Sequence, residues 1–127
     1  MKTPKAIFYI PLILLLCSPA FAGQANIIDV KVTNNQGSYR FDVTIEHDDT
    51  GWDHYADGWE VLTPAGDVLG KRVLAHPHVN EQPFTRSLSG VRIPQDVSAV
   101  TIRAHDSIHG YNREMFEVDL SNHQASD

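Results

Sequence analysis

The amino-acid sequence predicts an all-β protein, a seven-stranded antiparallel β-sandwich of immunoglobulin-like or fibronectin-III-like type, carried behind a cleavable export leader. Three observations predict the fold class. Apolar residues alternate with a period of two in several short runs, the pattern of a strand with one buried face. Clusters of turn formers recur between those runs at the spacing of a sandwich. No apolar pattern of helical period persists along the chain.

The leader comes first. Lys2 and Lys5 precede an apolar run from Ile7 to Cys17, and Ala20-Phe21-Ala22 stands before Gly23 as a small-residue cleavage signal. Cleavage after Ala22 divides the chain into a leader (1–22), a sandwich domain (23–120) and a disordered tail (121–127). The apolar run is too short to span a bilayer of roughly 30 Å and is broken by Pro11, so stable membrane insertion is not expected. Cys17 raises a lipoprotein anchor as a competing reading, but Leu16 occupies the place where a lipoprotein signal wants a small residue. Cys17 is also the one cysteine of the chain, so the processed protein has neither disulfides nor thiolates and depends on packing for its stability.

The strands follow in order. Ala25 to Thr33 and Ser38 to Glu46 flank Asn34-Asn35-Gln36-Gly37 and read as a hairpin. In the second of them Tyr39, Phe41, Val43 and Ile45 face one way, and Arg40, Asp42, Thr44 and Glu46 the other. Gly58 to Thr63 and Val68 to Leu74 flank Pro64-Ala65-Gly66-Asp67 and form a second hairpin, with a bulge expected at Gly70. Phe84 to Val91 is a fifth strand. Val97 to His105 turns Val100, Ile102 and Ala104 inward, and Glu114 to Leu120 closes the domain with Phe116, Val118 and Leu120 inward. Trp59 is expected to fill the core.

Charge narrows the function. The chain has 16 acidic and 10 basic residues, a formal charge of −6, and loss of Lys2 and Lys5 with the leader makes the remainder more acidic still. Such a surface repels phosphate backbones and excludes nucleic acid as a natural partner.

Six of the seven histidines lie at three junctions between strands. His47 and His54 lie between the second and third strands, among Asp48, Asp49, Asp53 and Asp57. His76 and His78 follow the fourth strand, and His105 and His109 follow the sixth, beside Asp106. Antiparallel strands that succeed one another reverse at each connection, so the loops after even-numbered strands share one end of the domain. This parity brings all six histidines to one rim. His76 and His78, two apart around Pro77, would face one side of an extended segment and chelate a single ion. A donor set of imidazole and carboxylate without thiolate suits Cu(II) or Zn(II), with binding that weakens below about pH 6.5 as histidine protonates. Calcium fits less well, because the acidic loop lacks the spacing of an EF-hand. Six histidines exceed one tetrahedral site, so some are expected to play other parts.

Trp52, Tyr55 and Tyr111 sit among these histidines, which makes a protein- or glycan-recognition module, with a periplasmic protein as one partner, the alternative to a metal-binding one. No nucleophile elbow, H-E-x-x-H or glycine-rich phosphate loop is present, and no catalytic residues are assigned. The strings Gly51-Trp52-Asp53-His54-Tyr55-Ala56-Asp57-Gly58-Trp59-Glu60 and His76-Pro77-His78-Val79-Asn80-Glu81-Gln82-Pro83-Phe84-Thr85-Arg86 resemble segments of small exported bacterial proteins of unknown function. The resemblance covers most of the chain after the leader. It implies a periplasmic or secreted location and carries no activity.

Overall fold

A computed structural model describes residues 2–9, 11 and 23–123. The cleavage signal Ala20–Ala22, Cys17 and residues 124–127 of the expected tail lie outside the described residues. Among the described residues, no helix is long and apolar enough to cross a membrane.

The chain forms two antiparallel sheets. One has the order β1 (Asn26–Asn35), β2 (Ser38–Glu46), β5 (Phe84–Arg92). The other has the order β4 (Val68–Val73), β3 (Ala56–Leu62), β6 (Ala99–Asp106), with β7 (Gly110–Tyr111) and β8 (Phe116–Asp119) both pairing with β6. Among the described residues the strands number eight rather than seven. The additional one is β7, two residues that pair with His105 and Asp106 directly after the turn at Gly110, whose φ of 77° favours glycine. A short 3-10 helix follows β8 at Ser121–His123, where a tail was expected.

Both expected hairpins form. Gln36 and Gly37 adopt positive φ, 55° and 89°, in the tight turn between β1 and β2, and Gly37 N–H donates to Asn34 Oδ1. Between β3 and β4, Gly66 N–H donates to the Thr63 carbonyl. The bulge falls next to Gly70, where the register shifts between Val61 and Leu62. Gly70 also faces the other sheet, since a β-carbon there would lie 2.9 Å from Leu88 Cδ2.

The inward rows meet in one apolar core. Phe41, Val43 and Ile45 of β2 and Val100 and Ile102 of β6 are fully buried, together with Trp59 and Val61 of β3, Phe84 and Leu120. Among the described residues, none before Ala25 belongs to it. The outer face of the β3–β6 pair carries a polar cluster. Arg103 donates to Glu60 Oε2 at 2.9 and 2.8 Å, its guanidinium lies 3.8 Å from the centre of the Tyr111 ring, and Tyr111 donates to Glu60 Oε1 at 2.5 Å. Burial pushes the Glu60 carboxyl up, but the bonds from Tyr111 and Arg103 outweigh it and hold the group below its usual value. The same bond to Glu60 raises the Tyr111 phenol.

A carboxyl held low contributes stability that is present above its unfolded value, about 4.5, and lost as pH falls through its lowered folded value. Glu60→Gln should therefore lower the urea midpoint at pH 7 and lose less stability than the parent between pH values of about 5 and 3. An unchanged acid limb in the variant would show that Glu60 does not contribute.

Candidate functional site

The period-two rows do not stop where the strands end. In β2 the inward row Tyr39, Phe41, Val43, Ile45 continues into His47, 3% exposed, and Asp49, 5% exposed. In β6 the row Val100, Ile102, Ala104 continues into Asp106, which is fully buried. Polar side chains are thus carried to the end of the core by the same alternation that buries the apolar ones.

Parity of the strands brings these ends together. Glu46 at the end of β2 pairs with Asn26 at the start of β1, Ile45 pairs with Phe84, where β5 begins after the β4–β5 loop, and Ala56 pairs with Asp106. The three histidine-bearing loops therefore share one end of the domain. The entry into β1 joins them there.

Asp49 organises this end. Its Oδ1 accepts from His47 Nδ1 at 2.5 Å and from the Ala56 backbone N–H at 3.0 Å, while Oδ2 accepts from the His78 N–H at 2.7 Å. The carboxylate can only accept, so it holds the proton of His47 on Nδ1 and leaves Nε2 as a lone pair in the neutral ring. That Nε2 faces the Gly23 carbonyl oxygen at 2.9 Å. Two lone-pair groups at this distance repel unless a cation, a proton or a metal, mediates between them.

His54 Nε2 lies 3.1 Å from the same carbonyl and 3.1 Å from Asp106 Oδ1. His109 Nδ1 is also 3.1 Å from Asp106 Oδ1. The His54 ring lies 4.7 Å from that of His47 and 5.0 Å from that of His109. Donor atoms of His47, His54 and Asp106 all fall within 4.8 Å of one another. Burial pushes the Asp106 carboxyl up, yet the N–H groups of His109 and Ile108 and the His109 ring prevail and hold it below its usual value. All of these bonds reach Oδ1. Oδ2 is buried with no hydrogen-bond partner among the described residues, a state that costs about 1–3 kcal/mol for a neutral group and more for a charged one.

The entry into β1 is pinned in place. Ala25 is buried, and Asn112 Nδ2 donates to the Ala25 carbonyl at 2.8 Å and to Asn26 Oδ1 at 2.9 Å. Gly23 then packs on His109, where a β-carbon would lie 2.5 Å from the ring Cε1. From the sequence Gly23 is named only as the residue after the cleavage signal and not as a site residue. The parity argument contains the signal for it, because the strand before an even one begins where the even one ends.

The other three of the six histidines at the strand junctions lie elsewhere. His105 neighbours Asp106 in sequence, and alternation turns it to the outer face, where its Nδ1 bonds to Asp57 and its ring meets Tyr111 edge-on. These residues border a cleft of about 360 Å³ that also includes Trp59, Glu60 and Lys71. His76 and His78 form their own pair, with ring centres 4.6 Å apart. His78 is stacked on Phe84 at 4.0 Å, and its Nε2 lies 3.0 Å from Arg86 Nη2, so it accepts from the guanidinium. Burial and the Arg86 charge both lower its pKa. His76 is exposed.

No family model matches the chain. It is similar to a protein of Halomicrobium mukohataei named "Putative lipoprotein", at 44% identity over 97 residues, 76% of this chain and 47% of that protein. The chain thus spans about half the length of the relative it matches. Among solved structures it is similar in fold to a hypothetical protein of Pyrococcus horikoshii OT3, with a TM-score of 0.53 and 13% identity, over 78% of this chain and 90% of the other.

Asp49→Ala should destabilise the domain by roughly 3 kcal/mol or more, since it strands two buried backbone N–H groups at about 1–3 kcal/mol each. Asp48→Ala, at an exposed position, should stay within about 0.5 kcal/mol of the parent. Equal denaturant midpoints for the two variants would contradict the role given to Asp49.

Proposed function

We propose that the protein is an exported binding module that takes up a divalent transition metal, Cu(II) or Zn(II), at the His47–His54–Asp106 end of the domain. The observation that carries this reading is the convergence of lone pairs. His47 Nε2, the Gly23 carbonyl, His54 Nε2 and Asp106 Oδ1 follow one another at 2.9, 3.1 and 3.1 Å, and donor atoms of His47, His54 and Asp106 all lie within 4.8 Å of one another. Atoms bound to one ion at about 2.0–2.1 Å have roughly this spacing. The bond from Asp49 to His47 Nδ1 is the carboxylate–histidine arrangement that fixes the tautomer of a metal ligand and raises its basicity. Imidazole and carboxylate donors favour Cu(II) or Zn(II) over softer ions.

Export is supported by the leader pattern of residues 1–22 and by the name of the Halomicrobium mukohataei relative. The periplasmic location belongs to this reading. The sheet orders β1-β2-β5 and β4-β3-β6-β8 support an immunoglobulin-like sandwich, in which loops at one end carry the binding site.

A second reading draws on the exposed apolar side chains of the same end. Trp52 is 68% and Ile108 61% exposed, which leaves both side chains available for contact with a periplasmic protein or a glycan.

A comparison of two double variants tests the metal reading. The parent, purified without a histidine tag, should bind Cu(II) or Zn(II) stoichiometrically with Kd below about 1 µM, roughly −8 kcal/mol. His47→Ala with His54→Ala should abolish that uptake, and His76→Ala with His78→Ala should leave it intact. The reverse pattern would move the site to the His76-Pro77-His78 segment. No uptake by the parent would end the metal reading and leave the partner surface.

A further inference from the structure

We infer that removal of the leader completes the metal site, by releasing the α-amino group of Gly23 as a ligand beside His47, His54 and Asp106. The inference rests on the metal reading above and adds to it the state of the chain in which the site works.

Two independent lines meet at Gly23. In the sequence, Ala20-Phe21-Ala22 marks the bond that a signal peptidase would hydrolyse. In the fold, the Gly23 carbonyl is the atom approached by both imidazoles, at 2.9 and 3.1 Å. The residue that becomes the amino terminus is therefore already seated at the candidate centre. Hydrolysis of the Ala22–Gly23 bond consumes one water, leaves a carboxylate on Ala22 and places an amine on Gly23. An amide nitrogen has no lone pair to offer a metal at neutral pH, because it is delocalised into the carbonyl. A free amine has one, and with the carbonyl oxygen of its own residue it forms a small chelate ring.

The terminus is also held where such a chelate needs it. Ala25 is buried, and Asn112 binds the Ala25 carbonyl and the Asn26 side chain, so Gly23 is tethered two residues from a fixed anchor. Ordering that is already present in the fold is not charged against binding. Glycine is the residue that fits, because a β-carbon would meet the His109 ring at 2.5 Å. The orphaned Asp106 Oδ2 supplies a buried negative charge at the same place, which a bound cation would balance. The precursor would then bind metal poorly, and the exported form well.

The test compares three forms of the protein: the 127-residue chain with its leader, the processed protein recovered after export, and the processed protein selectively acetylated at its amino terminus. Among the described residues the core contains none before Ala25, so the processed form retains the whole of that described core. Intact-mass analysis should place the processed terminus at Gly23. Titration with Cu(II) alone and Zn(II) alone should show the processed form binding at least about tenfold tighter than the precursor and the acetylated form, the gain expected when a tethered donor joins an existing site. Spin-resonance spectra of the Cu(II) form should show one nitrogen donor fewer after acetylation. Equal affinities in all three forms would overturn the inference and leave the metal reading standing. A mature chain beginning at a lipid-modified Cys17 would also overturn it. Absence of binding in every form would refute both.

Discussion

The buried carboxylate of Asp49 is the interaction on which the histidine-bearing end depends. It lies at the close of an inward row that began with apolar side chains, and it satisfies an imidazole and two backbone N–H groups from three places in the chain. A loop that leaves a sheet edge must find partners for its backbone groups or keep them in water. Asp49 provides those partners inside the fold, so the β2–β3 and β4–β5 loops are tied to each other. The orientation of His47 then follows from the same bond.

The two carboxylates of this end have different surroundings. Asp49 is satisfied on both oxygens, while Asp106 gathers its donors on Oδ1 and leaves Oδ2 buried without a partner among the described residues. A fold that tolerates an uncompensated buried oxygen stores a preference for positive charge at that point. The approach of His47 Nε2 to the Gly23 carbonyl, which calls for a proton or a metal ion between them, expresses the same preference. Both features become favourable when a cation occupies the space they share, and neither is needed to hold the sheets together. The polar cluster of Glu60, Arg103 and Tyr111 on the outer face is satisfied internally, and it asks for nothing further.

Much of the fold was legible because strand alternation is a local property. Tyr39 to Ile45 and Val100 to Ala104 are buried as their period requires, and the turns at Gln36-Gly37 and Gly66 lie where the turn formers cluster. The short strand Gly110–Tyr111 was not legible, because two residues carry no period and their pairing depends on β6 standing beside them. The common end for the three loops followed from strand parity. That argument could not say which histidines on the rim would face one another, and the pair His76 and His78 was singled out by its two-residue spacing around Pro77 instead.

The sequence by itself determined the all-β character, the inward faces of the strands, the leader pattern and the end of the domain to which the histidines go. These follow from nearest-neighbour periodicity and the reversal of direction at each turn. The tertiary structure decided which side chains meet: His105 and Asp106 are adjacent in the chain, yet the pleat sends one to the outer cleft and the other to the buried centre. It also decided that Gly23 belongs to that centre, since a contact between residues 23 and 54 exists only once β1 has paired with β2 and β3 with β6. Side chains and backbone atoms that converge from distant positions are positioned by the packing of the sheets, and no spacing along the chain records their distance.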